Sequence, residues 1–449
     1  MILLLLICCT IAFIVVGTTL LRLHPFLALI LAALGFGLVS GMEPGRVVES
    51  INTGFGQTLG EIGVVILAGT IIGTFLEKSG GALSIADAAI RLTGKKHVPL
   101  ALGLTGYIVS LPVYCDSGYV ILSPLNKILT RRAGIPLATG TACLSLGLYV
   151  AHTMVPPTPG PVAAAAILAA DLGLVIVLGL VVSAVALTAS WLFAVTYASG
   201  VEIAGPEDSD NETPRPESSG AEKNPPSTML SLLPMVLPLF LIILGSMAQS
   251  PFNPFAQGVV REWITFAGQP AVALLCGLGC ALLLPSRLER AMLSSSGWVG
   301  QAVKAAGTIL IITGAGGALG NVLQESGISD LISSNMQFTR MGIFLPFIIA
   351  AGIKSLQGSS TVAMITTASM LAPILDPLGL GGETGKALAV IALGAGSMVV
   401  SHVNDSYFWI VTQFSDMKAA QGYKVQTLGS LVAGLAAFAA IIALNGLLI

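Results

Sequence analysis

The sequence predicts an all-α protein that crosses a membrane several times. Of its 449 residues, 54% are hydrophobic and only 9% are charged. A soluble domain carries roughly a quarter charged residues, so a chain of this length with so few charges cannot cover its surface with groups that water solvates. The 52 glycines and 24 prolines agree, because both are commoner in membrane helices than in soluble ones.

Charge and cysteine content exclude other classes of protein. The formal net charge of −2 provides no basic surface, so we expect no nucleic-acid partner. The six cysteines include no CxxC pair with the spacing of a metal site, and we expect neither a metal nor another bound cofactor. Residues 1–21 lack the basic start and the cleavage site of a signal peptide, so they are predicted to form the first membrane span.

An acidic segment divides the chain into two halves, 1–198 and 228–449. Residues 199–227 are rich in Glu, Asp, Pro and Ser, which is typical of a solvated linker. Since a span needs about 20 apolar residues, simple spans are predicted at 1–21, 26–42, 60–77, 174–198, 228–248, 263–284, 298–324 and 427–449.

Each half also contains two apolar stretches with polar interruptions. Residues 98–130 and 341–376 have a polar tip midway and are predicted to be re-entrant hairpins, which enter and leave the membrane on one side. Residues 137–171 and 386–414 are too long and too interrupted for one helix and are predicted to be broken helices. Because non-helical backbone at membrane depth must be satisfied by protein or water, we expect the four interruptions to line a site.

The distribution of lysine and arginine predicts opposite orientations for the two halves. With both hairpins re-entrant, most of these cations fall on one side, which places the linker in the cytoplasm. The halves also share motifs in the same order, for example AGTIIGTFLEKSG at 68–80 and GAGGALGNVLQESG at 314–327. An inverted repeat with interrupted helices in matching positions indicates a secondary transporter.

The interruptions of the first half carry candidates for proton coupling and for substrate binding. Asp116 lies in the first tip beside Ser117, and a carboxylate at membrane depth is costly and is by default a functional candidate. His152 precedes a proline-rich break that includes Thr158, and histidine exchanges protons near neutral pH.

The tip of the second half has the composition of an oxyanion site. Lys354 is followed by a glycine and by the hydroxyls of Ser359, Ser360 and Thr361, ahead of the returning helix. We expect Lys354 either to pair with a substrate carboxylate or to neutralise Asp116 or Asp405.

The break of the second half is the most specific polar signal in the chain. His402, Asn404 and Asp405 cluster within an otherwise apolar stretch. We expect Asp405 and His402 to take part in proton coupling and Asn404 to bind substrate.

Three segments resemble the gluconate permease family of bacterial proton symporters, which belongs to a wider ion-transporter superfamily. They are HTMVPPTPGPVAAA at 152–165, QGSSTVAMITT at 357–367 and SHVNDSYFW at 401–409. The resemblance implies import of gluconate or a related sugar or hydroxy acid across the bacterial inner membrane. It also implies an elevator-type fold, with a scaffold domain and a moving transport domain, in a homodimer.

The resemblance also implies roles for the tip and break residues. A substrate carboxylate would lie near Lys354 and the hydroxyls that follow it, and the substrate hydroxyls would meet Asn404, Ser117 and the break at Thr158. Family members are expected to use the tip and break residues, which in this chain are Asp116, His152, Lys354, Ser359, Thr361, His402, Asn404 and Asp405. The chain departs from the family pattern at Thr158, where a histidine is expected, and at Lys354, where an arginine is expected. Its first tip, VYCDSGY at 113–119, is also more polar than expected. These departures bear on which acid is bound.

Three alternatives stay open at the level of the sequence. Asn404, Thr361 and unwound carbonyls could bind Na⁺, which would replace the proton as coupling ion. His152, His402 and two aspartates could suggest an intramembrane enzyme, but no HExxH-like spacing supports a metal hydrolase. A channel is the third alternative, and the paired breaks favour alternating access over a pore.

Overall fold

The computed structural model describes residues 21–93, 97–203, 225–249, 258–326, 341–402 and 405–449, together with scattered positions between 6 and 17. Most of the predicted first span at 1–21 and most of the linker at 199–227 therefore lie outside the described residues. Asn404 lies outside them as well.

All regular secondary structure in the described residues is helical, which confirms the all-α prediction. Short 3₁₀ turns occur at Ala198–Gly200 and Ala372–Ile374, and a π-helical turn spans Tyr423–Thr427. The helices are α1 (Pro25–Val39), α2 (Pro44–Lys78), α3 (Gly81–Thr93), α4 (Val98–Val109), α5 (Cys115–Ala133), α6 (Leu137–Met154), α7 (Pro159–Ile167), α8 (Leu172–Thr196), α9 (Thr228–Gln249), α10 (Val259–Ala267), α11 (Pro270–Ala281), α12 (Trp298–Glu325), α13 (Phe344–Gln357), α14 (Ser360–Leu371), α15 (Glu383–Met398), α16 (Ser406–Phe414), α17 (Ala419–Gly422) and α18 (Leu428–Leu448).

Several helices are long and apolar enough to cross a bilayer. In the described part of the chain these are Leu172–Gly200, Thr228–Gln249, Trp298–Glu325 and Ala419–Leu448, and the number is up to six if each of two bent helix pairs forms one span. Their outward faces are apolar, as on α8, where Val177, Val181 and Val185 are exposed at helical spacing. An exposed valine stripe is stable against lipid chains, so α8 has the surface of a membrane helix.

The polar interruptions coincide with helix ends. Residues 110–114 separate α4 from α5, and Gly358–Ser359 separate α13 from α14. The break between α6 and α7 contains Pro156 and Pro157, joined by a cis peptide bond, and proline removes the N–H that an uninterrupted helix would need. Residues 399–405 separate α15 from α16.

Glycines bring several helices of the two halves close together. A Cβ on Gly147 of α6 would lie 2.2 Å from the carbonyl oxygen of Gly103 in α4, and a Cβ on Gly396 of α15 would lie 2.4 Å from that of Phe347 in α13. A Cβ on Gly394 would likewise clash with the Thr153 carbonyl oxygen, at 2.3 Å. Close backbone approach through glycine is how membrane helices maximise packing. These contacts pack α6 on α4, α15 on α13 and α15 on α6.

Candidate functional site

A cavity of about 360 Å³ lies beside the interruptions that precede α5, α14 and α16. The first turns of α5, α14 and α16 face it, together with the C-terminal part of α6 and the middle of α12. Helix N-termini carry free N–H groups and a partial positive charge, so three of them around one cavity favour an anion. The lining residues are Tyr114, Cys115, Asp116, Tyr149, His152, Thr308, Ile309, Ile312, Gln357, Gly358, Ser359, Ser360, Thr361, Val362, Ile365, Asp405, Ser406 and Tyr407.

A buried ion pair joins the second tip to the second break. The Nζ atom of Lys354 lies 2.6 Å from Oδ2 of Asp405, and the two side chains are 0% and 6% exposed. The ammonium also donates to the carbonyl oxygen of Gly358. Of the two roles open to Lys354 from the sequence, the structure therefore has it neutralising Asp405. Its charge lies behind the cavity wall.

Asp405 is fully engaged by its surroundings. It caps the N-terminus of α16, where Oδ1 accepts a hydrogen bond from the Tyr407 N–H at 3.1 Å. Its Oδ2 atom accepts from the Ser401 hydroxyl as well as from Lys354. The carboxylate therefore couples the second break to the second hairpin.

The hydroxyl run at the start of α14 divides into two roles. Ser359 is the N-cap, and its Oγ accepts from the Val362 N–H at 3.3 Å. Ser360 and Thr361 follow in the first turn and line the cavity. Their N–H groups belong to the helix end that has no intrahelical acceptor, so they can donate to a ligand.

Asp116 and His152 face the cavity from the first half. Asp116 lies in the first turn of α5, and its buried Oδ1 atom has no hydrogen-bond partner among the described residues. His152 lies in the last turn of α6, and its buried Nδ1 is likewise without a hydrogen bond in the part of the chain that is described. The His152 and Tyr114 rings are 5.9 Å apart, centroid to centroid. Two titratable groups with open hydrogen-bonding capacity thus face one cavity.

The remaining predicted residues lie beside the cavity rather than on its wall. Thr158 donates to the Val155 carbonyl oxygen at 2.7 Å and lines a separate space of about 10 Å³, together with His152. The His402 Nε2 atom lies 2.9 Å from the Ser355 carbonyl oxygen. Ser117 is half-buried in α5 and does not line the cavity.

Several wall residues had not been predicted. Tyr149 stands three residues before His152, so helical spacing could have placed it on the same face. Tyr407 directly follows the second break and donates to the Ser145 carbonyl oxygen at 2.8 Å. No local signal distinguishes Thr308, Ile309 and Ile312, because they belong to a simple apolar span.

Among the described residues, no three of His, Cys, Asp or Glu lie together as metal ligands would.

Comparison with solved structures gives a fold neighbour. The YdaH transporter of Alcanivorax borkumensis aligns with a TM-score of 0.63 at 16% sequence identity, covering 94% of this chain and 99% of that chain. At this identity the likeness concerns the fold, and it confirms that the chain has the helical fold of a membrane transporter.

Curated relatives are similar over nearly the full length. A gluconate permease of Pseudomonas aeruginosa is 35% identical over 432 residues, covering 93% of this chain and 92% of that protein. The inner membrane permease YgbN of Escherichia coli is 33% identical over 431 residues, covering 93% and 92%. These proteins are named as permeases, which supports solute transport rather than enzymatic catalysis, in a multi-pass protein of the bacterial inner membrane. The profile described as GntP family permease matches residues 1–447, and the chain belongs to this family.

Proposed function

We propose that this protein is a secondary transporter that imports gluconate or a related sugar acid together with a proton. The observation that carries the proposal is the convergence of three helix N-termini on one cavity that also presents Asp116 and His152. The volume of about 360 Å³ lies at the lower end of the usual range for ligand pockets, about 300–1,000 Å³. A small acid therefore suits the cavity better than a large one. The gluconate permease among the relatives supports the same class of substrate.

The substrate carboxylate binds at the start of α14 in this proposal. Ser360 and Thr361 offer N–H groups there, and the helix dipole favours negative charge. Lys354 acts indirectly, because its ammonium is already paired with Asp405. Sugar hydroxyls meet Asp116 and His152, which also line the cavity and can accept or donate hydrogen bonds. The part of Asn404 in substrate binding stays a prediction.

Asp116 is the better candidate for the coupling proton. Asp405 is compensated by Lys354 and by two further hydrogen bonds, so protonating it would leave a buried ammonium without its partner. Asp116 faces the cavity with one carboxylate oxygen still lacking a hydrogen bond from the described residues. A proton on Asp116 would remove a negative charge that repels the incoming anion, which would link proton binding to substrate binding. His152 would assist the proton transfer.

Alternating access follows from the order of the helices in this proposal. The pair α4–α5 precedes the broken pair α6–α7 and the long helix α8, and α13–α14, α15–α16 and α18 repeat this order. We infer two inverted repeats whose hairpins and broken helices move together as a transport domain. The homodimer that the resemblance implies is part of the same proposal.

Counterflow in proteoliposomes tests the transport class and the substrate together. Vesicles are preloaded with unlabelled gluconate, and labelled gluconate is added outside without any ion gradient. Trans-stimulated uptake is the expected result, because exchange through one alternating site needs no driving force. Glucose is the matched control, since it has similar size and hydroxyls but no carboxylate, and it should neither compete nor exchange. Equal exchange of glucose and gluconate would contradict an anion site, and a linear, non-saturating flux would indicate a pore.

A further inference from the structure

The surroundings of the Lys354 ammonium have the composition of a site for a small cation. Among the described residues it donates to two oxygens: Oδ2 of Asp405 at 2.6 Å and the carbonyl oxygen of Gly358. The ammonium also lies 5.7 Å from the centroid of the Tyr149 ring, whose face attracts cations. A carboxylate, a main-chain carbonyl and an aromatic face would suit a monovalent metal ion as well as they suit an ammonium.

Helix geometry reinforces this charge preference. Gly358 caps the C-terminus of α13 in the left-handed conformation, with φ of +85° and its N–H bonded to the Lys354 carbonyl oxygen. Its own carbonyl lies just beyond the negative end of a half-helix dipole. Half-helix C-termini and unwound carbonyls at membrane depth are the groups that coordinate Na⁺ in transporters with broken helices. Here the unwound carbonyl of Gly358 instead accepts a hydrogen bond from the ammonium of Lys354.

The N-cap of the first broken helix carries no charge. The N-cap of α7, at the corresponding position of the first broken helix, is Thr158, and its hydroxyl donates to the Val155 carbonyl oxygen. The N-cap of α16 is Asp405. A cation is therefore required at the second break, where a buried carboxylate needs compensation, and is not required at the first.

We propose that the ammonium of Lys354 is a tethered cation that takes the place of a bound Na⁺ at the junction of the second hairpin and the second break. The proposal rests on the carrier function above and concerns the cation that occupies this position. Because the side chain cannot leave, the transporter needs no Na⁺ for substrate binding. Removing both the charge and the volume of Lys354 should open a Na⁺ site between Gly358 and Asp405.

Three variants distinguish the effect of the charge of Lys354 from the effect of its volume. Lys354→Ala removes both and should gain a response to Na⁺. Lys354→Met removes the charge but keeps most of the volume, so Na⁺ has no room and no response should appear. Lys354→Ala combined with Asp405→Asn removes the carboxylate that would bind the ion, and it should also fail to respond.

The primary measurement is the thermal unfolding midpoint of the purified protein in NaCl and in KCl at equal ionic strength. Lys354→Ala should be more stable in NaCl, while the wild type and the other two variants should be the same in both salts. Counterflow by Lys354→Ala should rise by about tenfold on replacing K⁺ with Na⁺, a factor within the usual range of coupling between two sites.

Yield provides a second measurement if Lys354→Ala is too unstable to melt cooperatively. Its recovery as monodisperse protein should then be higher when membranes are solubilised and purified in NaCl than in KCl. Equal yields and equal midpoints in the two salts would overturn the proposal, as would a wild-type protein that needs Na⁺ for counterflow. The midpoint requires no transport, so a failure of the carrier proposal would appear separately, as absent wild-type counterflow.

Discussion

Breaking the Lys354–Asp405 ion pair should destabilise the protein far more than breaking the Lys127–Asp416 pair. Both pairs have a Nζ–Oδ2 distance of 2.6 Å, so distance does not distinguish them. Exposure does, because the side chains are 0% and 6% exposed in the first pair and 39% and 45% exposed in the second. Removing one partner of a buried pair costs about 3–5 kcal/mol, since the other charge is left buried without compensation. An exposed pair contributes about 0–1 kcal/mol.

The comparison uses Asp405→Asn and Asp416→Asn, which remove the negative charge and keep the size of the side chain nearly the same. Asparagine caps a helix as well as aspartate does, so the first substitution keeps the cap of α16. Asp416 has φ of +54°, a conformation that asparagine tolerates. Denaturant unfolding in detergent should show a gap between the two variants of about 3 kcal/mol in the apparent free energy of unfolding.

A double variant checks the cause of that gap. Adding Lys354→Met to Asp405→Asn removes the uncompensated ammonium, so part of the lost stability should return. Equal destabilisation by the two aspartate substitutions would refute the reasoning, because burial would then make no difference. No recovery in the double variant would show that the loss arises from something other than the buried charge.

Three further predictions concern the cavity wall. Asp116→Asn should abolish uphill uptake driven by a pH gradient but leave counterflow intact, and normal uphill uptake by this variant would remove Asp116 from coupling. Ser359→Ala should cost about 1 kcal/mol of stability through the lost helix cap, whereas Ser360→Ala removes a hydroxyl from the cavity wall and should raise KM for the acid with little loss of stability; the reverse pattern would contradict the assignment of Ser359 to the helix cap and of Ser360 to the cavity wall. Gly358→Ala should destabilise by about 1–2 kcal/mol because its φ of +85° is left-handed, and an unchanged unfolding midpoint would show that the tip adopts another conformation.

Much of the architecture was predictable because the sequence marks it with strong local signals. Apolar composition required membrane helices, and Pro156, Pro157 and Gly358 indicated where helices had to stop. These signals depend on the backbone of a few adjacent residues, so no knowledge of distant contacts was needed.

The detailed contacts were less predictable because they join distant parts of the chain. The sequence left three partners open for Lys354, and the one found, Asp405, lies 51 residues further along. Which carboxylate it meets depends on how α13 packs on α15 through Gly396, a contact that local composition does not encode. Thr308 of α12 was missed for the same reason, since a threonine in an apolar span has no local mark of function.

The most direct test of the central claim is protection of the cavity by substrate. A cysteine at position 361, made by Thr361→Cys, would report occupancy of the space at the start of α14, and Glu383→Cys at the exposed start of α15 is the control. Peptide-resolved labelling with a small polar thiol reagent gives both rates in the presence of gluconate or glucose. The account predicts that gluconate slows labelling at 361 and that glucose does not, with no change at 383 under either condition. Equal labelling at 361 with gluconate and with glucose would show that the acid does not bind in this cavity.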